Sequence, residues 1–147
     1  MKINKIASNA LLSALYVALT IVNPIGWGAL QFRVSEMLMV IPFFNRKYIY
    51  GAIIGVIIAN SFSPLGVIDV AVGALCCIIS YTLSKHINNK YINACIYSAL
   101  AGVLVGLELK IVFRLPFIAS AISVFISTLI ITFISVFIFK KYDKLLL

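Results

Sequence analysis

The sequence predicts an all-α integral membrane protein: one domain over residues 1–147, six transmembrane helices, and both termini in the cytoplasm. Three observations predict it. Hydrophobic residues make up 63% of the 147 and charged residues 11%, with a mean hydropathy of +1.14. A soluble domain is roughly half apolar and about a quarter charged. Too few charges are present to clothe a water-facing surface, and the chain is too hydrophobic to be disordered. Uncharged runs recur along the whole length, and at about 20 residues per spanning helix the chain has room for roughly six. The basic residues lie between those runs and favour alternate connections, as positive-inside bias requires.

The first span is the uncharged run from Ile6 to Pro24. A polar-flecked loop, IGWGALQFRVSE, follows over 25–36. The second apolar run, 37–45, is closed by Arg46 and Lys47 and reaches helical length only if residues from about Gln31 join it. Between Lys47 and Lys85 the only charge is Asp69. Asn60, Ser61, Ser63, Pro64 and Gly66 interrupt that stretch, which predicts spans at about 48–62 and 67–84 joined by a tight turn. Residues 91–107 make the fifth span and 116–139 the sixth. The second and third spans are short, and short, interrupted segments in transporters often border a binding site. Further apolar runs after the first, with no small-residue cleavage site, argue against a cleavable signal peptide.

With the N-terminus inside, the inner segments hold Lys2, Lys5, Arg46, Lys47, Lys85, Lys90, Lys140, Lys141 and Lys144. The outer segments hold Arg33, Lys110 and Arg114. Of the acids, Asp143 is inner, while Glu36, Asp69 and Glu108 fall at outer ends. The net charge of +8 therefore belongs to the cytoplasmic face, which suits the anionic headgroups of a lipid bilayer. The same excess in a soluble protein would suggest nucleic acid; between apolar runs it does not.

The three outer acids stand out. A carboxylate within the bilayer costs about 2.5–3.5 kcal/mol on the insertion scale and by default faces a protein interior or wet cavity. Glu36 follows Arg33 by three residues, and on a helix the two share a face; an internal ion pair and a functional carboxylate are both open readings. Asp69 has no base nearby in sequence, so it needs a partner from another helix, a ligand or water. After Pro64-Leu65-Gly66 it also suits the first turn of a helix, where it would cap backbone donors. Glu108, two residues before Lys110, is either a third site carboxylate or an interfacial charge. Asn60 is an amide in an apolar run and needs a partner when buried. In the loop GWGALQFR, Trp27 sits between two glycines with Gln31, Phe32 and Arg33 close behind. It is either a belt anchor or an aromatic face for a planar ligand.

Small residues mark helix contacts. Ala10, Ala14 and Ala18 recur every fourth residue on the first span, and Gly51-x-x-x-Gly55 and Gly102-x-x-x-Gly106 do so on the third and fifth. Such strips let another helix approach closely, most often within the same bundle. There is no Walker loop or HExxH and no Gly-x-Ser-x-Gly elbow, so no catalytic residue is predicted. The single histidine, His86, lies in the Lys85–Lys90 connection, and Cys76, Cys77 and Cys95 lie in apolar runs. They give neither metal-ligand spacing nor a disulfide framework, and no cofactor is predicted.

From Gly26 to Gly73 the chain resembles the QueT family. The resemblance is carried by QFRVSEML (31–38), FFNRKYI (43–49), IAN (58–60) and GVIDVAVG (66–73), in matching order and spacing. The alanine strip of the first span and GLEL (106–109) extend it more weakly to nearly the whole chain. The last span departs from the pattern: where a Gly-Glu-Leu-like element is expected, ASAISVFISTL (119–129) has no acid. The resemblance implies a multi-pass protein of the plasma membrane, the S-component of an energy-coupling factor (ECF) transporter for a queuosine precursor, preQ1 or queuine. Such a component docks on a membrane coupling subunit that carries two cytoplasmic ATPases. In S-components the small-residue strip of the first helix is the docking surface, which gives that role to Ala10, Ala14 and Ala18.

The implied ligand is a 7-deazaguanine. Its Watson–Crick edge presents two adjacent donors that one carboxylate accepts together. Carbon replaces N7, so of the O6/N7 pair by which Arg reads guanine only O6 remains, for Arg33, Gln31 or Asn60. Its amine, cationic at neutral pH, would pair with a second carboxylate. Glu36 and Asp69 are the expected ligand carboxylates and Glu108 a third, with Trp27 or a Tyr stacking on the ring. The alternative is a stand-alone secondary carrier for another heterocyclic or cationic metabolite, its carboxylates acting as proton sites. A structural membrane subunit is a third class.

Overall fold

The computed structural model describes residues 2–23 and 32–142, and its regular structure is entirely helical. Helix α1 spans Lys2–Val22. A 3-10 helix, Val34–Val40, runs directly into the short α2, Ile41–Phe44. A single 3-10 turn at Arg46–Tyr48 leads into α3, Ile49–Asn60. Helices α4 (Val67–Leu83), α5 (Lys90–Phe113) and α6 (Phe117–Lys141) complete the bundle. Six helical segments thus follow the six expected runs. Three of them, Asn4–Val22, Lys90–Phe113 and Phe117–Lys141, are long and apolar enough to cross a membrane.

Two boundaries differ from the sequence reading. The second segment starts at Val34 rather than near Gln31 and stays short, seven residues of 3-10 helix and four of α-helix. The fifth continues to Phe113, past Glu108 and Lys110. Charged residues are good helix formers, and the first breaker is Pro116. The helix ends with Arg114 in the left-handed region, φ 55°.

Local chemistry sets the other ends. The Asn89 side chain accepts from the amides of Tyr91 and Ile92 and caps α5. Asn45 does the same for Lys47. The turn before α4 is tied by the Leu65 amide donating to Ser63 Oγ at 3.1 Å. It closes on Gly66 at φ 68°, a conformation that favours glycine.

Both glycine pairs are spent inside the bundle. A Cβ on Gly51 would stand 2.7 Å from the Asn9 carbonyl oxygen, and one on Gly55 would stand 3.1 Å from Ser13 Cα, so α3 lies directly on α1. Hydrogen bonds reinforce the contact: Gly51 N donates to Asn9 Oδ1 at 2.6 Å, and Ser13 Oγ donates to the Gly51 carbonyl at 2.7 Å. Gly102 and Gly106 bring α5 within 2.9 Å of Ala121 of α6 by the same measure. Ala10, Ala14 and Ala18 are exposed instead. They line an open apolar groove with Tyr50, Ile54 and Ile58 of α3.

The 3-10 helix lies at the centre, with Met39 and Val40 fully buried. Tyr81 Oη of α4 donates to the Met39 carbonyl at 3.0 Å, and Ser135 Oγ of α6 to the Met37 carbonyl at 2.5 Å. Basic residues cluster at one end. Asn9 Nδ2 donates to the Lys47 carbonyl and Arg46 to the Tyr81 carbonyl. Lys90 lies over the Phe44 ring and Lys140 over Tyr91.

Candidate functional site: a polar cavity between the helices

Four of the residues singled out by sequence converge on one narrow cavity. Arg33, Glu36, Asn60 and Asp69 line it, with Tyr16, Gly73, Cys76, Tyr97 and Thr128 among the others. The polar members come from different elements, so the site exists only in the folded bundle.

Asp69 is the hub. It sits in the first turn of α4, yet its carboxylate is bonded by side chains from elsewhere, so the capping reading does not describe it. Arg33 Nη2 pairs with Oδ2 at 3.2 Å. Asn60 Nδ2 donates to Oδ1 at 3.1 Å and to the Asp69 carbonyl at 2.9 Å. Arg33 Nη1 closes the triangle by donating to Asn60 Oδ1 at 3.2 Å. All three residues are buried, and such a pair is tolerable only when hydrogen-bonded all round. Gly73 makes room for this: a Cβ there would lie 2.5 Å from Asn60 Nδ2.

Glu36 is held separately. Tyr16 Oη donates to Oε1 at 3.1 Å and Tyr97 Oη to Oε2 at 2.5 Å. The internal Arg33–Glu36 pair, one of the two readings open in the sequence, is replaced by Arg33–Asp69. Arg33 precedes the 3-10 helix in extended conformation, φ −97° and ψ 105°, so its side chain does not share the helical face of Glu36. A carboxylate has about four acceptor positions, so Glu36 keeps capacity beyond its two hydroxyl donors.

Glu108 lies inside the bundle rather than on its surface. It is fully buried in α5, and neither oxygen has a hydrogen-bond partner among the described residues. Eleven residues after Tyr97, it lies about three turns along the same helix face, within the electrostatic reach of Asp69 and Arg33. The cavity lining therefore holds one guanidinium and two carboxyl groups, and a third carboxyl group, Glu108, lies further along the α5 face that lines it.

Gln31 and Trp27 lie outside the described residues. Ala10, Ala14 and Ala18 are on the separate α1–α3 groove. The last span lacks the acid expected of it, and Thr128 is the polar side chain that α6 gives to the cavity lining. Sequence reasoning missed Tyr16 and Tyr97. Their signal was position: a tyrosine in the middle of an apolar run, rather than at a membrane boundary, needs a partner for its hydroxyl.

Comparison with known proteins bears on the whole chain. The family model described as QueT transporter matches residues 6–144. A curated protein of Lactococcus lactis subsp. cremoris (strain MG1363), the queuosine precursor transporter QueT, is 33% identical over 132 residues, covering 78% of each chain. No solved structure matches.

Proposed function

The chain belongs to the QueT transporter family, and from that premise we propose that it is the substrate-binding S-component of an ECF transporter, capturing a queuosine precursor. The observation that carries this reading is the acid excess of the cavity. Arg33 answers Asp69, while Glu36 and Glu108 form no ion pair with any described residue. A buried cluster of this kind complements a ligand that brings its own donors and a positive charge. A 7-deazaguanine with an alkylammonium arm brings both: Asp69 and Glu36 take its two-donor edge and its amine. Asn60 and Gln31 answer O6, and Trp27 or the cavity tyrosines stack on the ring.

The protein is a multi-pass protein of the plasma membrane with both termini in the cytoplasm. Its ATP hydrolysis comes from two ATPases bound to a membrane coupling subunit. The exposed groove of Ala10, Ala14 and Ala18 is the surface that meets that subunit, a reading supported by its apolar lining and by the glycine pairs being used elsewhere.

The test is calorimetry of preQ1, queuine and guanine with the purified chain in detergent. Binding of one deazaguanine at least about a hundredfold tighter than guanine, about 2.8 kcal/mol, is expected. Asp69→Asn should weaken it about tenfold or more, from the roughly 1.5–3 kcal/mol of a charged hydrogen bond. No heat from a folded, monodisperse sample would refute the assignment. Uptake by this chain alone, driven by a pH gradient in vesicles, would point to a secondary carrier.

A further inference from the structure

Glu108 is the group that the ligand reading leaves without a task. It is 1% exposed, and no described group donates to either oxygen. Buried polar side chains nearly always have partners, and an ionised carboxylate buried without any is far costlier than a neutral group. Its α5 face is the one that lines the cavity through Tyr97, Ala101 and Val105. The charges that act on it are those of Asp69 and Arg33.

Arg33 competes for the same acceptors as the ligand. Its two terminal nitrogens point at Asp69 Oδ2 and Asn60 Oδ1, each at 3.2 Å. A guanidinium edge of two N–H donors has the same pattern as the N1–H and 2-amino edge of a guanine. Arg33 and such a ligand therefore want the same acceptors. Displacing a buried guanidinium from its carboxylate is costly if it is left unpaired. A second buried carboxylate with both oxygens free removes that cost.

We propose that Arg33 is a resident stand-in for the ligand on Asp69, and that Glu108 is the positioning carboxylate that receives its guanidinium when the ligand's donor edge takes Asp69. The ligand half rests on the function proposed above; the exchange between the two carboxylates does not. The exchange gives specificity without a large rigid pocket. Only a two-donor edge that matches the guanidinium displaces it; Arg33 keeps an ion pair throughout, and Glu108 releases its proton to water as it receives the guanidinium.

The test uses the full chain in detergent, with Asp69→Asn, Glu108→Gln and the double variant followed by thermal unfolding. Glu108→Gln alone should leave the melting temperature unchanged or raise it. In the Asp69→Asn background, where Arg33 relies on Glu108, the same change should lower it. Equal shifts in both backgrounds would overturn the proposal. If the double variant does not fold, a second readout decides. The chain has two glutamates, Glu36 and Glu108, so carboxyl-labelled glutamate gives two infrared signals. Asp69→Asn should move the Glu108 signal to that of an ion-paired carboxylate, and preQ1 should do the same to the unaltered chain. An unmoved Glu108 signal in Asp69→Asn overturns the exchange. Failure of preQ1 to bind the unaltered chain overturns the ligand reading instead, with the Asp69→Asn signal still deciding the exchange.

Discussion

Gly73→Ala adds one methyl group at the tightest point of the site. The new Cβ would stand 2.5 Å from Asn60 Nδ2 and 2.7 Å from Val56 Cγ1, where ordinary contact begins at 3.4 Å. One or both neighbours must retreat by close to an ångström. Val56 is buried in the core and has little room. Asn60 is tied by bonds of 2.9, 3.1 and 3.2 Å to the Asp69 carbonyl, the Asp69 carboxylate and Arg33. Helix propensity alone favours alanine over glycine by about 1 kcal/mol. Overpacking costs about 1–3 kcal/mol, and each hydrogen bond to a charged group is worth about 1.5–3 kcal/mol. The steric and polar losses win, for a net destabilisation of about 2–4 kcal/mol. Because the Asn60 amide orients Asp69, binding of preQ1 should fall by about tenfold or more, at ~1.4 kcal/mol per tenfold. Thermal unfolding and calorimetry on the same preparation measure both. A cycle with Asn60→Ser identifies the cause: with the longer amide gone, Gly73→Ala should cost markedly less. A Gly73→Ala protein as stable as the unaltered chain, with undiminished binding, would mean that helix propensity prevails and that Asn60 does not hold the site.

Three further perturbations separate the roles of the elements. Tyr97→Phe removes the hydroxyl 2.5 Å from Glu36, and Tyr16→Phe the one at 3.1 Å. At about 1.5–3 kcal/mol for a charged hydrogen bond, Tyr97→Phe should weaken preQ1 binding about tenfold to a hundredfold in calorimetry and Tyr16→Phe less. Tighter binding in either would mean that the hydroxyls compete with the ligand for Glu36. Gly51→Ala forces a Cβ to 2.7 Å from the Asn9 carbonyl, in backbone with no free end to move. It should destabilise the chain by about 1–3 kcal/mol in thermal unfolding while leaving the affinity of the folded fraction unchanged. Ala14→Trp, on the exposed groove, should abolish uptake in cells while purified protein still binds preQ1; uptake at the normal rate would remove this groove from docking.

The helical segments were legible because each charge cluster and each Gly, Pro or Asn cluster closes an apolar run. The breaks at Arg46-Lys47, Ser61–Gly66 and Lys85–Lys90 all appear in the structure. The end of α5 was not legible, because Glu108 and Lys110 look like a boundary while neither breaks a helix. The acids were legible as isolated charges in an apolar chain. Their partners were not: Arg33 meets Asp69 across 36 positions and Tyr97 meets Glu36 across 61, and no local periodicity reports such pairs. The nearest acid in sequence, Glu36, was the one partner for Arg33 that the sequence suggested, as one of two open readings. The extended backbone at Arg33, which sequence does not display, decides otherwise.

The way the charged groups are held follows from the shortness of the middle segments. Arg33 precedes the 3-10 helix, Asn60 is the last residue of α3, and Asp69 lies in the first turn of α4. All three stand where a helix begins or ends. In a membrane, backbone that leaves helical pairing is tolerated only where protein buries it or it lines a wet cavity. Helix ends at the site satisfy that condition and use it, since the amide end of α4 also favours a carboxylate at Asp69. The long helices contribute differently. Tyr16, Tyr97 and Thr128 project from the interiors of α1, α5 and α6, where the backbone is already paired, and they bring neutral hydroxyls. Glu108 is the exception, a carboxyl group within a long helix and without a protein donor among the described residues. In a division of labour that puts Arg33, Glu36 and Asp69 at the starts of helices with their partners built in, a charge-bearing group on a rigid helix is the one whose partner must come to it.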